Sequence, residues 1–242
     1  MENYDLRYGE DRYAVANAPA DTRAAFIRKT YAHVFGAILA FVAIEAAIFK
    51  SNMAEPIIKA LFGVPFAGLL LMVAFIGGGY VAQYMARSAT SNVVRYAGLG
   101  LFVSLWAVIF LPLLYLAEMK FPGQQVAEQA GIVTLAAFAG LTMTVFVSGK
   151  DFSFLGPILG VLSFVALGVI LVAFVFNLSL GLFFIIPMIL LSAGYIIYDT
   201  SNVIHVYRED QYVAAALELF ADVALMFWYI LQLFISYGGN RD

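Results

Sequence analysis

The chain of 242 residues contains no cysteine and few charged residues. Without cysteine it has no disulfide framework, no thiolate nucleophile and no thiolate metal site. Charged residues make up 12% of the chain, about half of the share that is typical of soluble domains. Lys and Arg form no run that follows a phosphate backbone, and the net charge is only -3. The sequence therefore excludes nucleic acid as a partner.

Signatures of common catalytic sites are also missing. The chain has no phosphate-binding loop, no His-Glu-x-x-His and no Gly-x-Ser-x-Gly. An intramembrane aspartyl protease would carry Tyr-Asp in one helix and Gly-x-Gly-Asp in the next. Tyr198-Asp199 matches the first half of that signature, but Asp222 follows Leu-Phe-Ala. We therefore expect neither an enzyme nor a bound cofactor.

Long apolar runs dominate what is present, since 63% of the residues are hydrophobic. These runs are long enough for membrane helices of about 20 residues and lack the alternation of a membrane barrel. The sequence predicts an all-α integral membrane protein within residues 24–242. Its seven predicted spans are Thr30–Phe49, Pro65–Met85, Val93–Leu116, Gly131–Val147, Phe154–Phe176, Leu180–Tyr198 and Val213–Ile235.

Residues 1–23 are polar and predict a flexible tail. With seven spans and the N-terminus inside, nine of the 13 Lys and Arg residues fall on the inner side. Only Lys50, Lys59, Lys120 and Arg241 fall outside. This asymmetry predicts a cytoplasmic tail and a cytoplasmic loop between the last two spans.

One aspartate lies inside each of the last two spans, Asp199 in the sixth and Asp222 in the seventh. The two are equally far from the middle of the connecting loop, so an antiparallel helical hairpin would hold them at similar depth. An ionised carboxylate inside a bilayer costs about 2.5–3.5 kcal/mol. The pair is therefore a functional hypothesis, with a purely structural tie between the two helices as the alternative.

The chemistry of such a pair depends on pH. Two adjacent carboxylates do not both ionise cheaply, so the pair is expected to hold a proton near neutral pH. Protonated, they form a neutral clasp; deprotonated, they repel each other and offer the oxygen ligands that calcium prefers. Glu218 lies one turn before Asp222 on the same face. Asp199, Asp222 and Glu218 are thus a candidate site for transient calcium.

A further acid, Glu45, lies inside the first span about one turn from its outer end. Two interpretations remain open for it. Its carboxylate either snorkels to the membrane interface or belongs to a cation path together with Glu218.

Three stretches resemble the Bax inhibitor-1 family, also called the transmembrane Bax inhibitor motif family, in its bacterial branch. GYIIYDTSNVIH (194–205) and ALELFADVALMFWYILQLF (216–234) are similar to the family's Tyr-Asp-Thr and Leu-Tyr-Leu-Asp-Phe motifs. SGKDFSFLGPIL (148–159) is similar to its Lys-Asp-Leu stretch. The family often has Asn and Arg three and ten residues after the seventh-helix aspartate, where this chain has Leu225 and Gln232.

The resemblance implies a seven-helix fold with the C-terminal helix central and a pH-sensitive calcium leak. It further implies that Asp199 and Asp222 are the pH sensor and that Arg87 latches onto them. We therefore expect a calcium-conducting leak channel in a bacterial inner membrane, with the lipid bilayer and calcium ions as partners. The alternative is a regulator of a membrane protease or cell-death factor that acts through helix or tail contacts. The sequence does not predict the oligomeric state.

Overall fold

A computed structural model describes residues 14–64, 66–88 and 91–238. Within these residues the chain forms eight α-helices and a single 3-10 turn, Val15–Asn17. The helices are α1 (Ala20–Lys50), α2 (Ala54–Phe62), α3 (Ala67–Ala86), α4 (Asn92–Lys120), α5 (Val126–Ser148), α6 (Leu155–Phe176), α7 (Gly181–His205) and α8 (Tyr212–Gly238). All except α2 are long and apolar enough to span a membrane. The predicted all-α membrane protein with seven spans is confirmed, although Pro65, the predicted start of the second span, lies outside the described residues.

Residues 14–23 of the predicted tail belong to folded structure. The N–H of Val15 donates to the carbonyl of Tyr207 at 2.8 Å, and the Val15 side chain is fully buried. Helix α1 begins at Ala20, ten residues before the predicted span, because the apolar run marks only the part of a helix that faces lipid. Residues 1–13, the rest of the predicted tail, lie outside the described residues.

Helix α2 was not predicted. It has nine residues, too few to span a bilayer, and places Pro56 in its first turn, where proline removes no helical hydrogen bond. On its exposed side Lys59 Nζ lies 2.5 Å from Glu55 Oε1, one turn away. This short helix follows α1 after a turn in which Asn52 has a positive φ of 56°.

The predicted reversal between the fifth and sixth spans is present at Asn177. This residue ends α6 in the left-handed conformation, with φ of 53°. Asparagine tolerates that conformation better than other non-glycine residues do. The N–H of Leu178 donates to the carbonyl of Ala173 at 2.9 Å, and the same carbonyl also accepts the Asn177 N–H, which closes the helix end.

Helix α8 is the most buried span. Within its most apolar stretch of 18 residues, 56% is buried, whereas the corresponding share is 11–39% in the other six spans. This agrees with the expected central position of the C-terminal helix.

The described residues fall into two compact parts. The first combines Met1–Met119 with Tyr207–Phe220, and its core is aromatic. Phe41 of α1 packs edge-on against Phe110 of α4, with ring centroids 5.1 Å apart. Phe220 of α8 lies 6.2 Å from Phe102 in a similar arrangement. The start of α8 is thus held by α1 and α4.

The second part combines Lys120–Val206 with Ala221–Asp242. Its core contains Leu159 of α6, Leu191 of α7 and Tyr229 of α8. Tyr198 of α7 and Leu225 of α8 pack against the same core. Helices α7 and α8 therefore pack together up to the residues that adjoin the two aspartates.

Candidate functional site

Asp199 lies in a buried polar stretch near the end of α7. Its side chain is 7% exposed, and Thr200, Ser201 and Asn202 are buried as well. The side-chain amide of Asn202 donates to Asp199 Oδ1 at 3.0 Å, across one helical turn. Because buried polar groups are costly in a membrane helix, four in succession indicate a stretch that packs inside the protein rather than a lipid-facing surface.

Asp222 is equally buried, with 6% of its surface exposed. It belongs to the same compact part as Asp199. Tyr198, which precedes Asp199, and Leu225, one turn after Asp222, pack on the same apolar core. Both predicted sensor residues therefore lie inside the protein, on two helices that pack against each other.

Arg87 contacts Glu218 in the first compact part. Arg87 follows the last residue of α3, and its guanidinium forms an ion pair with Glu218 Oε1. The hydroxyl of Tyr207 donates to the other oxygen, Oε2. The sequence did not predict this ion pair with Glu218, and the contact of Arg87 with the aspartate pair remains a prediction.

Two further contacts hold the loop between α7 and α8, and the sequence predicted neither. Arg95 is buried in α4 and donates from Nη1 to the carbonyl of Asp210 at 2.7 Å. Its Nη2 lies 3.0 Å from Asp210 Oδ2. The Val15 N–H donates to the carbonyl of Tyr207, and the hydroxyl of the same tyrosine donates to Glu218. The signal available in the sequence was Arg95 at the start of a predicted span, with no acidic residue nearby in the chain. An arginine that becomes buried there requires a partner from a distant part of the sequence.

The Lys-Asp stretch between α5 and α6 docks on the end of α7. The N–H of Phe152 donates to Ser201 Oγ at 2.9 Å, and the N–H of Ser153 donates to Asp151 Oδ1 at 2.8 Å. The Ser153 N–H, with further hydrogen bonds from the Ser153 and Ser201 side chains, holds the pKa of Asp151 below its usual value. The loop thereby contacts Ser201, two residues after Asp199.

The side chains of Ser201 and His205 on α7 meet Asp151 where this loop docks on the helix. Ser201 Oγ lies 3.4 Å from Asp151 Oδ1 and 3.4 Å from His205 Nδ1. His205 Nδ1 lies closer, 3.0 Å, to the Ser201 carbonyl. Ser201 is fully buried, and its Oγ accepts the hydrogen bond of the Phe152 amide.

Glu45 does not snorkel. It lies on the buried face of α1, one turn beyond Phe41, with 6% of its surface exposed. Both carboxylate oxygens are buried and have no hydrogen-bond partner among the described residues. A carboxyl group in such a place is costly, and the interfacial interpretation is wrong because the side chain is buried inside the protein.

A calcium site built from three carboxylates is not formed. Within the described ranges, no group of three or more His, Asp or Glu side chains is arranged to hold a metal ion. Glu218, the third predicted ligand beside Asp199 and Asp222, instead has one oxygen on Arg87 and the other on Tyr207.

Residues 23–239 match the family described as "Inhibitor of apoptosis-promoting Bax1". The chain belongs to this family. The Bax inhibitor-1 assignment made from three sequence motifs is thereby confirmed, and the match covers all seven spans. No solved structure matches the chain.

Relatives of this Bax inhibitor-1 family member include a viral protein and a plant protein. The chain is 30% identical to the Golgi anti-apoptotic protein of vaccinia virus (strain Lister) over 95% of its length and 91% of the relative. It is 31% identical to Protein LIFEGUARD 4 of Arabidopsis thaliana over 88% of its length and 85% of the relative. Neither name is that of an enzyme. The family and the fold together establish an integral membrane protein.

Proposed function

We propose that this protein is a pH-sensitive cation leak channel, with calcium as the transported ion, and that it contributes to calcium homeostasis. The observation that carries the proposal is the burial of Asp199 and Asp222 on two packed membrane helices. Acids are kept inside membrane helices chiefly where protons or ions bind. The family resemblance supports the same role for the same two positions.

The pair would respond to pH by sharing a proton. With one proton between them, the two carboxyl groups join α7 to α8 as a neutral clasp. Loss of that proton leaves two negative charges in a poorly solvated place, and their repulsion loosens the contact. The same charges attract a cation into the space that opens. Protonation of one pair thus controls both the helix contact and the attraction for the ion.

Arg87 and Glu218 give this proposal a second element. Glu218 precedes Asp222 by one turn of α8, and its ion pair with Arg87 ties the start of α8 to the end of α3. A cation that approaches Glu218 has to compete with the guanidinium and with the Tyr207 hydroxyl. We propose that this contact is a latch that opens during conduction.

We further propose a location in a bacterial inner membrane with a cytoplasmic N-terminus. The nine-to-four distribution of Lys and Arg supports this orientation. Activity reporters fused before residue 1 and after residue 242 test it. The proposal requires opposite sides for the two reporters, and a common side would refute it.

A regulator of a membrane protease or of a cell-death factor is the second candidate. The vaccinia virus relative is named an anti-apoptotic protein, and this name favours the second candidate. Neither candidate requires catalytic activity, and we expect none.

Calcium flux from liposomes that contain the purified protein separates the two functions. A leak channel produces flux above that of empty vesicles, and the flux changes with pH. A regulator without intrinsic transport leaves the flux at the level of empty vesicles at every pH, which would overturn the proposal.

A further inference from the structure

A groove runs between α1 and α4 on the membrane-spanning surface of the first compact part. It has a volume of about 450 Å³. Small residues form much of its wall, with Gly36 and Ala40 on α1 and Gly100 on α4, while Ile44 and Val103 line it farther along. A Cβ atom added at Gly36 or Gly100 would meet nothing within 4 Å. The groove is therefore open space and not a tight helix contact.

One end of the groove is polar. His33 and Tyr96 both line it, and His33 Nε2 lies 3.2 Å from the Tyr96 hydroxyl. The Tyr96 hydroxyl lies 3.3 Å from that of Tyr212. The ammonium group of Lys29 lies 5.5 Å from the centre of the Tyr212 ring. A cation and two phenol groups thus meet where the groove reaches the helix ends.

The position of this cluster matches the membrane interface. Tyr212 is the first residue of α8, Tyr96 lies in the second turn of α4, and Lys29 directly precedes the first predicted span. Tyrosine and lysine are favoured at the level of the lipid headgroups. From there the groove continues along apolar residues toward the bilayer interior.

We propose that the groove binds an acyl chain of an anionic phospholipid, with its phosphate at Lys29 and the hydroxyls of Tyr96 and Tyr212. The apolar part of the groove holds the acyl chain, and the cationic end holds the negatively charged phosphate. No acidic residue is present among the described residues that line the groove. Neither aspartate of the pair lines the groove. A test of lipid binding is therefore independent of the proposed ion leak.

Filling the groove tests the chain site. In native mass spectrometry of the detergent-purified protein with added phosphatidylglycerol, we expect Gly36→Leu and Gly100→Leu each to weaken binding at least about tenfold. Gly77→Leu and Gly140→Leu are the matched controls, because a Cβ there also meets nothing within 4 Å. The carbonyls of Gly100 and Gly140 each accept a hydroxyl four residues on, both at 2.8 Å. If leucine prevents folding, Gly100→Ala provides a smaller obstruction with a partial loss.

The headgroup is tested separately. Lys29→Gln should weaken phosphatidylglycerol binding about fivefold, and Arg28→Gln, which removes the same charge from the adjacent position, should not. Phosphatidylcholine should bind more weakly than phosphatidylglycerol to the unmodified protein. Equal binding by the groove variants and their controls would overturn the proposal. So would a change from dimer to monomer in Gly36→Leu, because a second copy of the chain would then occupy the groove.

Discussion

Arg87 and Glu218 are 131 residues apart in sequence and form an ion pair in which Tyr207 donates to the second carboxylate oxygen. The side chain of Glu218 is 21% exposed and that of Arg87 is 55% exposed. The pair connects α3 with the start of α8. It therefore joins the helix that carries Asp222 to a neighbouring membrane span.

This ion pair should contribute measurably to stability. We expect Arg87→Gln and Glu218→Gln to show a coupling of up to about 1 kcal/mol in a double-mutant cycle of unfolding free energies, the upper range for partly exposed pairs. Tyr207→Phe should lower stability further, because it removes the second hydrogen bond to Glu218. The exposed pair Glu55–Lys59 is the control and should show no measurable coupling. Additive effects of Arg87→Gln and Glu218→Gln would show that the contact contributes nothing.

Glu45 should be a residue that costs stability. Replacement by methionine, which has a similar length, removes a buried carboxyl group without a partner in the described chain. We expect Glu45→Met to raise the free energy of unfolding by about 1–3 kcal/mol and, if Glu45 lies on the cation path, to lower calcium flux. Glu45→Gln is the matched control, since its buried amide still lacks partners. A lower melting temperature for Glu45→Met would mean that the carboxyl group stabilises the fold.

Asp151 gives stability a dependence on pH. Its pKa is lowered in the folded protein, mainly by the Ser153 N–H. Its contribution is therefore present above the ordinary pKa of about 3.9 and is lost as the pH falls through the lower folded value. We expect Asp151→Asn to lower the melting temperature at pH 7 and to match the unmodified protein near the acid end of the titration. Lys150→Gln, an exposed residue at the adjacent position, is the control and should change the melting temperature little at any pH. An Asp151→Asn difference that is constant with pH would contradict this assignment.

The seven spans could be predicted because each requires about 20 apolar residues in succession, which sequence shows directly. Helix α2 was missed because its nine residues are too few for a membrane span. The predicted tail ended too late because Val15 lies in a short stretch without helical periodicity, and only the tertiary structure buries it. In the site, the burial of Asp199 and Asp222 agrees with their position in apolar runs.

The ion pair between Arg87 and Glu218 was beyond the reach of sequence patterns. Which acidic residues of α8 meet an arginine at the end of α3 depends on the packing register of the helices. Propensity and periodicity do not set that register. The burial of Glu45 could not be predicted for a related reason, because distance from a helix end does not show which side of the helix the neighbours cover.

The central claim is that Asp199 and Asp222 share the proton that controls ion flux. Its most direct test is the pH dependence of calcium flux in liposomes for Asp199→Asn and Asp222→Asn, each checked for an unchanged melting profile. An asparagine still hydrogen-bonds to the remaining carboxyl group, so the helices should stay together, but the repulsion between two charges is gone. We predict that both variants lose the pH dependence of flux, whereas Glu218→Gln changes the apparent affinity for calcium more than the pH midpoint. If either asparagine variant keeps the unmodified pH profile while Glu218→Gln flattens it, the sensor is not this aspartate pair.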